Sequence, residues 1–475
     1  MTGPWTLTMD EALHRRLMRH LFPGDRDEHG AVIAAGIRQS PRGTRLLARE
    51  LFEAKDGVDF VRGRRGYRML TAEFVRDKIR YCRDEKLVYL AVHNHGGRDS
   101  VEFSGTDNKS HERGYPALLD ISSQPVGALV FAENAVAGDI WTPDRARRPI
   151  SETLVIERNL TRLYPAPPSP APKADATYDR QARWFGDRGQ DHLAKMKVGV
   201  VGAGGVGLPL VTMLSRIGVG TLVVIDPDRV EPTNLPRLAE ATRLDALMPL
   251  RRIKAFEGLA DRLSRRKVDL ARRMARRANP NIDFTGIAEN VIEPDAAKAL
   301  LDCDFLFLAA DSHLARMIVN AISHQYLIPA IQLGTRIDVD PADGSVGDIR
   351  SNVRLIVPGQ GCMRCNRLIS GSKLQEESLG SVERERNRYV DQVEAPSVIT
   401  FNNLIASQAV TDFMLMTGGF LEKDAPLDYL RFRPRLRKGE PVVPIANQAG
   451  CADCGNSQLS RRARGDNGEL PLPER

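Results

Sequence analysis

Residues 165–172 read Pro-Ala-Pro-Pro-Ser-Pro-Ala-Pro, and five prolines in eight positions cannot continue a helix or a central strand. Such a stretch runs as extended, polyproline-like chain and acts as a semi-rigid spacer. A chain of 475 residues divided in this way holds at least two domains, each long enough for its own core. The reading assigns residues 1–163 to a first domain, 164–177 to the spacer and 178–455 to a second domain. The polar, basic residues 456–475 are expected to form a flexible tail.

Composition excludes several classes. A hydrophobic fraction of 42% and a charged fraction of 27% are those of a globular protein. The net charge of +7 is spread along the chain, and runs such as residues 262–277 read as solvated helix faces, so no nucleic-acid partner is expected. The longest uncharged stretch, residues 198–215, carries five glycines and reads as strand, turn and helix, so no membrane partner is expected either. The N-terminus lacks a charged-then-apolar signal pattern, and six cysteines in so long a chain do not suggest a secreted disulfide scaffold. A cytoplasmic location is the expectation.

Before the spacer, residues 87–93 and 126–131 read as buried strands and residues 72–82 as a helix, a mixed α+β pattern. After it, apolar strands at 197–201, 221–225, 304–309 and 328–333 alternate with helical patterns. That alternation predicts an α/β, doubly wound parallel sheet.

The first domain carries a metal-ligand pattern. His93 and His95 are two apart, which on a strand puts both imidazoles on one face, and Asp107 can fold back as a third ligand. Two histidines and a carboxylate leave an open position on zinc, the arrangement of a catalytic site. His93, His95, Ser104 and Asp107 resemble the His-x-His, Ser-x-x-Asp motif of the JAB/MPN (JAMM-type) metallopeptidases. Gly96 departs from the proline usual there. The resemblance implies a JAB/MPN-like fold and a zinc isopeptidase acting at the C-terminus of ubiquitin-like proteins. It gives Glu28 as general base, with Asp25, Asp27 and Glu50 as competitors, and Ser104 as a stabiliser of the oxyanion. The alternative is a pair of satisfied loop histidines on an inactive scaffold that binds ubiquitin-like proteins.

The second domain opens on Gly202-Ala-Gly-Gly-Val-Gly207, a G-x-G-x-x-G turn between strand and helix. Its glycines and helix N-terminus suit phosphate, and Asp226 closes the next strand where a carboxylate can accept ribose hydroxyls. Alone, this fits a nicotinamide oxidoreductase equally well. The stretch from Asp226 through Asn234 to Arg237 resembles the Asp-x-Asp-x-Val…Asn-Leu-x-Arg segment of the ThiF/MoeB/HesA activating enzymes. Tyr178-Asp-Arg-Gln181, Lys267-Val-Asp-Leu-Ala with Asn279-Pro280, and Asp311…Arg316…Asn320 resemble further segments of that family.

The resemblance implies a Rossmann-like domain that uses ATP and Mg²⁺ to adenylate the C-terminal carboxylate of a ubiquitin-like protein. Gly202, Gly204, Gly207, Asp226 and Asn234 would hold the nucleotide. Arg237 and Lys267 would contact phosphates, and Asp311 would bind magnesium. Arg180 resembles the arginine that reaches ATP across a dimer, so a homodimer is implied. Lys267 lies 30 residues after Arg237, farther than is usual, and Lys254 within the insert is its rival.

Cys362-Met-Arg-Cys365 and Cys451-Ala-Asp-Cys454 are separated by 85 residues and read as a closed, structural thiolate zinc site, with redox dithiols as the alternative. Cys303 precedes a buried strand and is expected to pack in the core. No cysteine lies between residues 366 and 450, where thioester-forming relatives carry theirs. The acyl group would then pass to a partner's thiol, such as that of a conjugating enzyme, or to a hydroxyl such as Ser370, Ser372 or Ser378. Sulfur-carrier activation for thiocarboxylate formation is a second reading within the same chemistry.

Overall fold

In the computed structural model, which describes residues 3–62, 68–340, 342–379, 396–443 and 445–473, the chain falls into two compact units. The first comprises Met1–Pro170, His324–Leu327 and Gln458–Glu469, and the second the remainder. The main division falls at Pro170, inside the proline-rich stretch.

The first unit runs β1 (Trp5–Asp10), α1 (Glu11–Leu21), β2 (Gly30–Ser40), β3 (Gly43–Glu53), the short pair β4 (Phe60–Arg62) and β5 (Arg68–Leu70), then α2 (Ala72–Asp84) and β6 (Val88–Asn94). It continues with α3 (Gly105–Ser122), β7 (Val126–Phe131), β8 (Val136–Trp141), β9 (Arg147–Ile156) and β10 (Leu160–Leu163). The main sheet has the order β1-β3-β2-β6-β7-β8-β9-β10, and β1 also pairs with β9. Period-two alternation builds a core on each face. Ile33, Leu46, Leu90 and Leu129 pack with Leu13 and Leu17 of α1, while Tyr89 and Ala128 pack with Phe74 of α2 and Leu119 of α3. Each fully buried leucine contributes roughly 1.5–3 kcal/mol.

The C-terminal stretch corrects the expectation of a flexible tail at 456–475. Gln458–Glu469 belongs to the first unit, with Ser460, Arg462 and Ala463 buried. Gly465 bridges to Ile37, Asp466 donates its N–H to the Ile37 carbonyl over 2.8 Å, and the Asp466 carboxylate accepts from the Gln39 N–H at 2.9 Å. A polar, basic composition concealed a segment whose donors meet acceptors inside the unit.

The second unit runs α4 (Asp179–Lys195), β11 (Lys197–Val201), α5 (Gly207–Arg216), β12 (Thr221–Ile225), α6 (Met248–Arg251), α7 (Glu257–Leu263), α8 (Lys267–Ala278), β13 (Asp283–Ile287) and α9 (Pro294–Ala299). Then come β14 (Phe305–Leu308), α10 (His313–Tyr326, its last three residues counted with the first unit), β15 (Ala330–Val339), β16 (Val346–Ile356), α11 (Gly371–Ser378), α12 (Ile399–Gly418), β17 (Tyr429–Arg433) and β18 (Lys438–Val443). Strands β13-β12-β11-β14-β15 are parallel, as the alternation of strand and helix predicts. Beyond them, β16, β17 and β18 are antiparallel, so the sheet is mixed where a parallel one was expected. The cause is local: β15 runs on to Val339 and returns directly as a hairpin, with no helix to carry the chain back. Register places Val201, Ile225 and Leu308 level, so the loops after β11, β12 and β14 leave from one edge. No helix among the described residues is long and apolar enough to cross a membrane.

Candidate functional site

The glycine turn lies at the carboxyl edge of the second sheet. Gly202 has φ +97°, and a side-chain carbon there would come within 2.9 Å of the Ala309 carbonyl carbon. At Gly207 such a carbon would lie 1.8 Å from the Gly202 carbonyl oxygen, whereas at Gly204 it would meet no protein atom within 4 Å. Gly202 and Gly207 thus permit close backbone packing, and Gly204 between them faces open space, as a phosphate cradle requires.

Asp226 follows β12 and is buried. Its carboxylate accepts from the Ala203 N–H at 2.7 Å and the Asp228 N–H at 2.9 Å. Burial raises its pKa, against the pull of Lys267. Lys267, the first residue of α8, places Nζ 2.7 Å from the Asp228 carboxylate, while its rival Lys254 stands exposed in the insert. The Asn234 side chain accepts from the Glu231 N–H at 3.3 Å and closes the turn that leads to Arg237. The Arg237 carbonyl lies 3.3 Å from where a side chain would begin at Gly205, and its guanidinium has no ion pair among the described residues. Asp311 is exposed in the loop after β14, next to the Ala309–Ala310 backbone that abuts Gly202.

Arg180 is not brought to this edge within one chain. Its neighbour Gln181 donates to the Ile217 carbonyl over 2.8 Å, and Ile217 lies beyond the far end of α5, about 15 Å along the helix from Gly207.

Sequence reasoning missed several supports here. Glu377 of α11 accepts from Ser312 Oγ at 2.9 Å and from the His313 and Leu314 N–H groups at 2.9 and 2.8 Å, capping α10 beside Asp311. Asn402 of α12 is buried against Gly205. Neither has a local sequence signal. Ser370 caps α11, its hydroxyl 2.9 Å from that of Ser372, and Ser378 donates to the Gln375 carbonyl.

In the first unit, His93 sits at the end of β6 and His95 just beyond it. Their Nε2 atoms are 3.2 Å apart, and Asp107 Oδ2 lies 3.6 Å from His93 Nε2 and 3.4 Å from His95 Nε2. Donors about 2.05 Å from a tetrahedral zinc stand about 3.3 Å from one another, so the three fit that ion. The Nδ1 of His95 is 3.0 Å from the Glu102 carbonyl, which fixes the ring with Nε2 toward the cluster. Burial opposes charge on Asp107, but hydrogen bonds from His93, His95 and Ser104 outweigh it and hold its carboxyl well below the usual range.

Ser104 donates its hydroxyl to Asp107 at 2.7 Å and caps α3, so here it holds the carboxylate in place. Glu28 Oε1 is 4.0 Å from His95 Nε2, and burial raises its pKa. Of its competitors, Asp25 lies 2.9 Å from His29 Nε2 and Glu50 lies beside Arg49, while Asp27 donates its backbone N–H to Asp25.

The four late cysteines converge in the second unit. Cys362 Sγ lies 3.6 Å from both Cys365 Sγ and Cys451 Sγ, and Cys365 Sγ lies 3.5 Å from Cys454 Sγ. A tetrahedral thiolate zinc site has edges of about 3.8 Å, and the Asp453 N–H points at Cys451 Sγ. The Asn320 side chain donates to Asp453 at 2.9 Å and accepts from the Met363 N–H at 2.9 Å, tying both Cys-x-x-Cys loops to α10. Burial pushes the Cys451 thiol up to about 11, so a thiolate there needs a cation. Cys82 and Cys303 are buried and lie outside this cluster.

Among curated proteins, the chain is 27% identical over 197 residues to the SAMP-activating enzyme E1 of Haloferax volcanii, covering 40% of this chain and 63% of that protein. It is 29% identical over 154 residues to the sulfur carrier protein ThiS adenylyltransferase of Bacillus subtilis, covering 32% and 41%. The Escherichia coli protein described in the same words is 25% identical over 271 residues, covering 57% and 90%. The chain therefore spans less than two thirds of the first two of these relatives. Among solved structures, E. coli MccB matches with a TM-score of 0.45 and 20% identity, over 61% of this chain and 75% of that one. The ThiF family model matches residues 178–451, more than half of the sequence, and the chain belongs to the ThiF family.

Proposed function

We propose that the second unit adenylates the C-terminal carboxylate of a ubiquitin-like or sulfur-carrier protein. The observation that carries this reading is the arrival of the glycine turn, Asp226, Lys267, Arg237 and Asp311 at one sheet edge. The carboxylate of a protein tail attacks the α-phosphorus of ATP, a new O–P bond forms, and pyrophosphate leaves. The turn and the α5 N-terminus offer N–H groups to phosphate, and Asp226 accepts ribose hydroxyls. Arg237 and Lys267 meet the charge that grows on the leaving group. Asp311 would hold magnesium, which would draw charge from the phosphates. Arg180 would enter from a second copy of the chain in a homodimer.

The first unit, with its resemblance to JAB/MPN enzymes, is proposed as an isopeptidase that trims the same protein or removes it from targets. His93, His95 and Asp107 would hold zinc, whose bound water would have a pKa near 7. Glu28 would accept the water's proton and pass it to the leaving amine.

The test is ATP–pyrophosphate exchange with the full chain, magnesium and purified tail-bearing proteins. Exchange lost in Lys267→Ala and kept in Lys254→Ala supports the reading, and no exchange with any of them refutes it. The names of the relatives favour sulfur-carrier activation and ubiquitin-like conjugation about equally. Mass spectrometry of the product separates them: a thiocarboxylate indicates the first, and an amide or a thioester on a conjugating partner the second.

A further inference from the structure

Arg354 of β16 has no ion pair among the described residues. Its Nη1 donates to the Gln332 side-chain oxygen, and its guanidinium lies 5.6 Å from the Tyr429 ring centre. Gln332 and Tyr429 are 2% and 5% exposed, and the Gln332 amide also donates to the Leu333 carbonyl at 2.7 Å. Two buried side chains thus orient one arginine. Burial opposes its charge, Tyr429 favours it, and Arg316 and Arg431, both positive, oppose it. Arg316 likewise has no ion pair among the described residues, although the carboxylates of Asp311 and Glu377 favour its charge: its Nη1 reaches the Leu368 carbonyl at 3.1 Å, and its Nε is sealed without an acceptor. No nitrogen of Arg354 is both sealed and unbonded among the described residues. A guanidinium withdrawn from water beside like charges is costly unless an anion completes it.

The position argues which anion. Gln332 pairs with Arg354 and is level with Leu308, so Arg354 stands at the edge that carries the glycine turn. The crevice between β11 and β14 lies two to three strand spacings away, about 10–14 Å. That is too far for a phosphate cradled on the turn. An extended peptide advances about 3.4 Å per residue, so residues about three to four positions before a terminus reacting in the crevice would pass Arg354.

We propose that Arg354, oriented by Gln332 and Tyr429 with Arg316 beside it, reads an acidic side chain in the tail of the protein substrate, about three to four residues before its reacting C-terminus. The inference rests on the activating role proposed above, and the experiment separates the two. Fluorescein-labelled peptides of about ten residues ending in Gly-Gly, with one Glu three or four positions before the end, are compared with matched Gln peptides. Binding to the full chain is read by anisotropy with a non-hydrolysable ATP analogue, and pyrophosphate exchange is read in parallel. The expected result is about tenfold or tighter binding of at least one Glu peptide, lost in Arg354→Gln and partly kept in Arg354→Lys. Thermal melts verify that the variants are folded. Equal binding of Glu and Gln peptides overturns the subsite even if exchange proceeds. Glu-selective binding with no exchange from peptides or carrier proteins keeps the subsite and overturns the activating role.

Discussion

Arg462 donates from Nη1 to the Asp10 carboxylate over 2.6 Å, pairing residues near the two ends of the sequence, with both side chains less than a tenth exposed. Arg462 also donates to the Arg49 carbonyl at 2.6 Å, Arg49 returns a bond to the Arg462 carbonyl, and Asp10 caps α1 through the Leu13 N–H. Removing one partner of a buried pair leaves the other uncompensated, at a cost of about 3–5 kcal/mol. Arg462→Ala should lower the denaturation midpoint of the first unit accordingly, and truncation after Ser457 should lower it further. An unchanged midpoint in both would show that the segment does not support that unit.

The glycine turn predicts two different failures. Gly207→Ala drives a carbon against the Gly202 carbonyl and should destabilise the second unit by about 1–3 kcal/mol. Gly204→Ala meets no protein atom and should hold stability within about 0.5 kcal/mol while raising the KM for ATP. Thermal melts beside exchange kinetics test the contrast, which an unaltered KM in Gly204→Ala would contradict.

Metal analysis should distinguish the two ligand clusters. Wild-type protein is expected to carry zinc at both. His93→Ala should lose the first ion and keep pyrophosphate exchange. Cys451→Ser should lose the second and lower the melting point of the second unit, because the cluster joins loops 85 residues apart in sequence. Glu28→Gln should retain both ions and cut isopeptidase turnover by about 10²–10⁴. Equal zinc content in wild type and His93→Ala would remove the first site.

Asp412 of α12 provides a pH test. Burial pushes its carboxyl up to about 6, with Gln408 Nε2 as a neutral donor at 2.8 Å. The native state therefore binds a proton that the unfolded chain releases near pH 4, so this group's contribution falls as pH rises from about 4 to 6. Above that window the penalty is complete, about 3 kcal/mol for full burial and nearer 1–2 after solvent screening of a partly exposed group. Asp412→Asn should match wild type near pH 4 and exceed it by that margin at pH 7 in urea denaturation. A constant difference across the range would show that Asp412 does not titrate there.

What could be read without a structure was local. The glycine turn, the strands beside it, the His-x-His pair and both Cys-x-x-Cys pairs declare themselves because spacing alone puts their groups on one face or in one turn. The mixed end of the second sheet was missed because Asp348, Arg350, Ser351, Asn352 and Arg354 interrupt the apolar pattern of β16, and only the hairpin with β15 sets its direction. The support of each site was hidden for a different reason. Glu377 caps a helix 64 residues earlier, Gln332 orients an arginine 22 residues later, and Arg462 meets an aspartate 452 residues away. None of these pairs has a period or a spacing, because each depends on where the sheet carries its strands. The sequence by itself thus determined which chemistry-bearing groups the chain possesses. Only the tertiary structure decided which polar side chains leave water to hold them, since that is set by distant acceptors rather than by neighbours along the chain.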